Sequence, residues 1–245
     1  MKIITPLLTA IALLTAGSAL ADSQVTVHDL RGQNILQVDH AQNLAQLVTN
    51  PALHTWWPGT VIAERGATAV AQQQQQQLLA ELRTWQADSG DALAATIGTV
   101  IHQLSAVQVT GRQFTSLDPD WVRLRPEANR TLLGSYDLYT LSQPTQVLIL
   151  GALEHPGKES WQPGRTVRDY LEAHDHLSGA ERSFATLIAP SGQTQQVPIA
   201  YWNQRHVEVE PGSIIWLGFT SWSLPWGKAD LNARMLSVLT HRIPD

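Results

Sequence analysis

The chain contains no cysteine, so no disulfide braces it and no thiol is available as nucleophile or metal ligand. It also lacks any run of lysine and arginine. With a formal net charge of −5 and no basic patch, electrostatic binding to nucleic acid or to an anionic lipid surface is not expected. The common catalytic signatures are missing too: no G-x-S-x-G, no H-E-x-x-H, no Gly-rich phosphate loop and no zinc-ligand spacing. The carboxylates are scattered, and no pair can be assigned the separation that glycoside hydrolysis needs. No cofactor and no metal are therefore expected. His174-Asp175-His176 comes nearest to a metal motif, but a histidine at the end of a short helix is favoured by the helix dipole without any metal.

Long hydrophobic runs are absent except at the N-terminus. There Lys2 supplies a positive start, Ile3 to Ala16 is mostly apolar, and Ser18-Ala19-Leu20-Ala21 ends in an A-x-A pattern. That is the pattern of a secretory signal peptide, residues 1–21, cut after Ala21. The run falls short of the roughly 20 apolar residues of a membrane span, and no cysteine at the cut site allows lipidation. The expected mature form starts at Asp22, has no membrane span and is exported to the periplasm. Removing Lys2 takes the net charge from −5 to −6. A little over two hundred residues remain, enough for one large or two small domains that pack together to bury sufficient apolar surface.

Tryptophan is plentiful, with nine residues. Most tryptophans in a globular chain belong to its core, but an indole face also packs against the C–H face of a pyranose ring, and composition does not separate the two roles.

Apolar alternation and turn residues organise the chain. Val25 to Val27 and Ile35 to Val38 read as a hairpin around Arg31-Gly32-Gln33-Asn34. Ala41 to Val48 reads as a short helix, and Thr60 to Ala63 as the next strand after the Pro58-Gly59 turn. Two helices follow, Ala67 to Trp85 and Ala92 to Leu104, joined by Ser89-Gly90-Asp91 as a helical hairpin. The run Gln72 to Gln77 lies inside the first and is read as a solvated helix face. Alternation then predicts strands at Val107 to Arg112, Trp121 to Arg125 and Tyr136 to Tyr139.

After the linker Ser142 to Thr145, the hairpin–helix–strand order recurs. Val147 to Leu153 is a strand, followed by Pro156-Gly157 and a second strand. Thr166 caps a helix over Val167 to His174, with Asp169 completing a capping-box variant. Strands follow at Phe184 to Ile188 and from Val197, and Pro211-Gly212 delivers a closing strand at Ile214 to Leu217. The expected fold class is α+β: two β-grasp (ubiquitin-like) domains, over 22–142 and 143–218, a helical hairpin inserted in the first at about 67–105, and a connector with a C-terminal amphipathic helix over 219–245. Leu231, Met235, Val238, Leu239 and Arg242 share one face of that tail helix, with Asp230 as its cap. The apolar four either dock on the chain's own body or contact a partner.

The strand with Gly151, Pro156-Gly157, Thr166-Val-Arg-Asp-Tyr-Leu171, Pro190-Ser-Gly192, Val197 to Asn203 and Pro211-Gly212-Ser-Ile-Ile together resemble the soluble-ligand-binding β-grasp domains of outer-membrane polysaccharide export proteins. Over its whole mature length the chain is similar to the GfcC-type capsule or exopolysaccharide biosynthesis family. The resemblance implies a periplasmic, non-catalytic accessory role, with a polysaccharide, an outer-membrane polysaccharide export protein, or both as partners. An enzyme that modifies or trims the polymer is the alternative. The family's pocket arginine is carried to Arg112, because Gly111 before it permits close backbone approach; Arg123 and Arg125 are the alternatives. An arginine fork suits a carboxylate or phosphate, as on a uronic acid or a phosphorylated sugar.

Overall fold

The computed structural model describes residues 23–203 and 205–244; the signal-peptide expectation over 1–21 lies outside them. Two mixed sheets and six α-helices make an α+β architecture among the described residues. The first sheet holds β1 (Ser23–Asp29), β2 (Asn34–Asp39), β3 (Val61–Glu64) and β4 (Gly134–Thr140), in the order β2-β1-β4-β3. The second holds β5 (Gln146–Gly151), β6 (Gly157–Ser160), β7 (Phe184–Ile188), β8 (Thr194–Pro198) and β9 (Ile214–Leu217), in the order β6-β5-β9-β7-β8. Both follow one plan. An opening hairpin (β1-β2, β5-β6) sets its first strand parallel to the last (β4, β9), and an antiparallel strand (β3, β7) flanks that last strand.

Local chemistry explains the helix starts. In α1 (Leu44–Val48) the Asn43 side chain accepts from the Gln46 amide. In α5 (Val167–Leu171) the Thr166 side chain accepts from the Asp169 amide while the Asp169 carboxylate accepts from the Thr166 amide, a complete capping box. Two expected strands are not formed. Trp121 to Arg125 is mostly helix, α4 (Pro119–Leu124), because Asp118 caps it by accepting from the Asp120 and Trp121 amides and Pro119 fits its first turn. Val107 to Arg112 makes only isolated bridges, Val109 to Arg242 and Arg112 to Ala63, as it threads between the helices and the sheets.

The helical hairpin, α2 (Arg65–Ala87) and α3 (Asp91–Ala106), leaves the first sheet but is buried with the second. Leu78, Leu82, Trp85, Ile97, Val100 and Leu104 share one core with β5, β7, β9 and α5, while the first sheet keeps a smaller core around Val25, Leu44, Leu47, Ile62 and Leu138. All four residues of β9 are buried, so both faces of the second sheet are covered there. Of the six glutamines in the Gln72 to Gln77 run, five are exposed. The sixth, Gln75, is buried and donates to the carbonyls of Leu104 and Val107, which satisfies the end of α3.

The joint is sealed at Gly151. Its amide donates to Gln103 Oε1 (2.7 Å) and its carbonyl accepts from Gln103 Nε2 (3.0 Å). Its φ is +122°, and a Cβ there would lie 2.0 Å from the Leu217 carbonyl oxygen, so only glycine fits.

The tail helix, α6 (Leu231–Thr240), docks on its own chain against α2 and α3. Leu231, Met235, Val238 and Leu239 are buried in the larger core, so these four are not available to a partner while α6 is docked. Asp230 stands at the N-cap without a side-chain cap bond; the helix start is instead held by Lys228 and Arg234, both paired with Glu81 of α2. The hydrogen bond from Lys228 and the pairing with Arg234 outweigh burial and hold the Glu81 carboxyl below its ordinary value of 4.5. Its stabilising contribution is therefore complete at neutral pH and is lost as pH falls below that value. Glu81→Gln is expected to cost about 1 kcal/mol, or about 3 °C in Tm at pH 7. The difference from wild type should shrink steadily as pH is lowered through and below 4.5, the ordinary value of the carboxyl. Thermal melts followed by circular dichroism across a pH series from 7 downward check this, and a difference that does not change over the series would show that the carboxylate pairing is not its source.

Candidate functional site

Arg112 is placed by its neighbour. Gly111 lies against the start of α2: its carbonyl accepts from the Glu64 amide (3.0 Å) and its amide donates to Thr68 Oγ1 (3.0 Å). A Cβ at 111 would lie 2.5 Å from the Glu64 carbonyl oxygen and 2.6 Å from the Thr68 nitrogen. This close approach carries the Arg112 side chain away from its own sheet and between three parts of the fold. Nη2 donates to the Pro190 carbonyl just after β7 (2.7 Å), and Nη1 to the Thr240 carbonyl at the end of α6 (3.4 Å). Cζ stands 5.7 Å from the Phe114 ring centre.

Arg112 is only 8 % exposed, and among the described residues no carboxylate pairs with it. Burial, with repulsion from Arg242 added, pushes its pKa down to about 10. The guanidinium remains charged at neutral pH in a setting that disfavours the charge.

It faces a cleft of about 320 Å³ between the two sheets, lined also by the linker Gln143 to Thr145, Trp56, the start of β5, Gly212, Lys158 and Arg242. Among the described residues no aspartate, glutamate or histidine lines this cleft. Arg242 Nη2 donates to the Gly212 carbonyl (3.0 Å). On its other side Arg112 borders a second depression of about 560 Å³ with Trp57, Phe114 and Ser191 to Thr194. A buried guanidinium whose hydrogen bonds end on carbonyl oxygens can offer its remaining donors to an anion.

Arg123 and Arg125 lie elsewhere. Both are exposed on or just after α4: Arg123 is 3.9 Å from Asp120, and Arg125 stacks over the Trp121 ring at 3.4 Å. Neither lines the cleft. His174 is occupied structurally, with Nδ1 donating to the Glu154 carbonyl (2.9 Å) and Nε2 2.7 Å from Glu159 Oε1. Lys158 and Arg242 were not singled out as site residues from the sequence. Arg242 left one signal, a cation on the apolar face of the tail helix; Lys158 left none, because nothing in β6 distinguishes a lysine that borders a cleft from one in solvent.

A sheet-and-helix scaffold with a cationic cleft at its joint is the class of protein that fold and site define. Profiles of known families identify it further. The profile "Capsule biosynthesis GfcC, N-terminal" matches residues 21–143, and "Capsule biosynthesis GfcC C-terminal" matches residues 155–244. The chain is 43 % identical over 242 residues to the "Uncharacterized protein YjbG" of Escherichia coli (strain K12), covering 96 % of this chain and 98 % of that one. The chain belongs to the GfcC capsule biosynthesis family.

Gly111→Ala is expected to force apart α2 and the Arg112 segment and to cost about 1–3 kcal/mol. Urea unfolding measures the loss; an unchanged midpoint would show that the approach at Gly111 does not constrain Arg112.

Proposed function

We propose that the chain is a non-catalytic periplasmic accessory protein of capsule or exopolysaccharide biosynthesis and export, and that the Arg112 cleft binds acidic groups of the polymer. The observation that carries this reading is Arg112: it is buried at the cleft wall, donates to the carbonyls of Pro190 and Thr240, and among the described residues is paired with no carboxylate. Glycosidic-bond hydrolysis usually runs through two carboxyl groups on either side of the bond, and the described residues of the cleft wall supply no such pair, which favours binding over trimming. The planar arginine fork matches a uronate carboxylate or a sugar phosphate, and the low-dielectric setting strengthens that contact.

The shared plan of the two sheets supports reading each, with its short helix, as a β-grasp unit over 22–142 and 143–218, the second of the soluble-ligand-binding type. An outer-membrane polysaccharide export protein is the macromolecular partner this reading implies, and residues 1–21 are the signal that delivers the chain to it. With α6 docked, such a partner would meet the outer surface of the tail helix rather than its four buried apolar residues.

Arg112→Ala removes the fork and should weaken retention on the acidic exopolysaccharide of the producing strain by about 10- to 100-fold, the scale of one lost hydrogen-bonded charge. The far-UV circular dichroism spectrum should stay unchanged. Arg112→Lys keeps the charge without the fork and should fall between the two. Equal retention by all three proteins would sink the assignment of the cleft.

A further inference from the structure

A second feature lies at the opposite end of the second sheet. β7 begins where β8 and β9 end, so the segment before β7 and the loops after β8 and β9 gather at one edge. Pro190 and the Arg112 cleft lie past the other end of β7, about 16 Å away for a five-residue strand. The gathering is fixed by hydrogen bonds. Gly179 accepts from the Thr220 amide, Glu181 donates to the Gly218 carbonyl, and Ser183 accepts from the Ile199 amide and from Asn203 Nδ2.

The loops at this edge present aromatic rings. Trp222 and Trp226, after β9, are fully exposed. Each sits within a tight turn, one closed from the Ser223 amide to the Thr220 carbonyl, the other from the Lys228 amide to the Pro225 carbonyl. Tyr201 and Trp202, after β8, are also exposed. Ordering a side chain on binding costs entropy, and an indole on a backbone already held in a turn has only two side-chain torsions to fix.

The aliphatic and buried aromatic neighbours point the other way. Phe219 is buried and Leu224 packs on the core, so the connector shows solvent its indoles but no aliphatic chain that would sink into a bilayer. Thr220, Ser221 and Ser223 flank Trp222 in the chain, and the Thr220 and Ser223 hydroxyls are hydrogen-bonded to each other across the turn (2.8 Å). Two exposed arginines belong to the same gathered segments, Arg182 before β7 and Arg205 after β8, and among the described residues neither pairs with a carboxylate; the Glu181 carboxylate accepts the Arg182 and Ser183 amides.

We infer that this aromatic edge is a second polysaccharide-binding surface, on which Trp222 and Trp226 stack against sugar rings while Arg182 and Arg205 meet the polymer's acidic groups. An indole face is electron-rich and attracts the polarised C–H groups of a pyranose ring, and the two cations complement a polyanion. A single strand of polymer engaged at both ends of the sheet is held far more firmly than by either site alone.

This inference rests on the reading of the chain as a polysaccharide-binding protein. Affinity electrophoresis through gels containing the acidic exopolysaccharide purified from the producing strain tests both and tells them apart. The expected result is that wild type is retarded and that the double variant Trp222→Ala/Trp226→Ala binds about tenfold more weakly, the sum of two modest aromatic contacts. Arg182→Ala/Arg205→Ala should show a shallower salt dependence than wild type. If the tryptophan variant runs as wild type while Arg112→Ala is released, the edge is overturned and the cleft stands. If wild type is not retarded at all, both readings fall. Vesicles of phosphatidylethanolamine and phosphatidylglycerol give the remaining arm: sedimentation with them that the tryptophan substitutions abolish, with retardation unchanged, would make the edge a lipid contact and overturn the proposal. Both tryptophans are fully exposed, so the variants should fold, which circular dichroism verifies.

Discussion

The paired hydrogen bonds between Gln103 and Gly151 set the relation of the two sheets. A buried side-chain amide satisfies both backbone groups of one residue, at a position where φ is positive and no Cβ can be placed beside Leu217. Buried backbone groups at the end of a strand need partners, and here the partner comes from a helix that began in the other sheet. The hairpin is thereby committed to the second core. The first sheet, with its smaller core, is held to the second through the helices that leave it and return.

The cleft is a consequence of that commitment. Once α2 and α3 lie in the second core, the chain returning toward the first sheet must pass the start of α2, and Gly111 is what lets it pass. Arg112 follows at once and enters the joint. Its two hydrogen bonds reach the second sheet and the tail helix, so any shift of α6 or of the β7 turn alters the site directly. Glu81, by pairing with Lys228 and Arg234, restrains α6 at its other end. The tail helix therefore closes one wall of the cleft as well as completing the core.

Much of this was legible in the residues. Period-two alternation and Pro-Gly or Gly-containing turns marked most strands, Thr166 and Asp169 marked a helix start, and Gly111 marked a close approach. Two errors share one cause. Trp121 to Arg125 and Val107 to Arg112 both alternate, but alternation reports which side chains meet apolar surroundings, not whether a neighbouring strand supplies hydrogen bonds. The Asp118-Pro119 cap signal was present and decides for helix over 119–124. Nothing local shows that the hairpin joins the distant core, since the same amphipathic faces would fit either sheet. The apolar stripe of α6 likewise specifies burial without naming what covers it.

The state of Arg112 bears on why the cleft suits an anion although the cation is already hydrogen-bonded. A guanidinium carries five donors, and the two hydrogen bonds made by Arg112 both end on carbonyl oxygens. A carbonyl satisfies a donor without neutralising a charge. Desolvation and the nearby Arg242 therefore continue to oppose the charged form, as the pKa near 10 records. A carboxylate or phosphate entering the cleft would supply the missing negative charge through donors that are still unused, and the carbonyl bonds to Pro190 and Thr240 could persist. Those bonds hold the fork in place before a ligand arrives, so little orientation remains to be lost on binding. An aspartate in the same position would have stabilised the arginine more and left it nothing to bind.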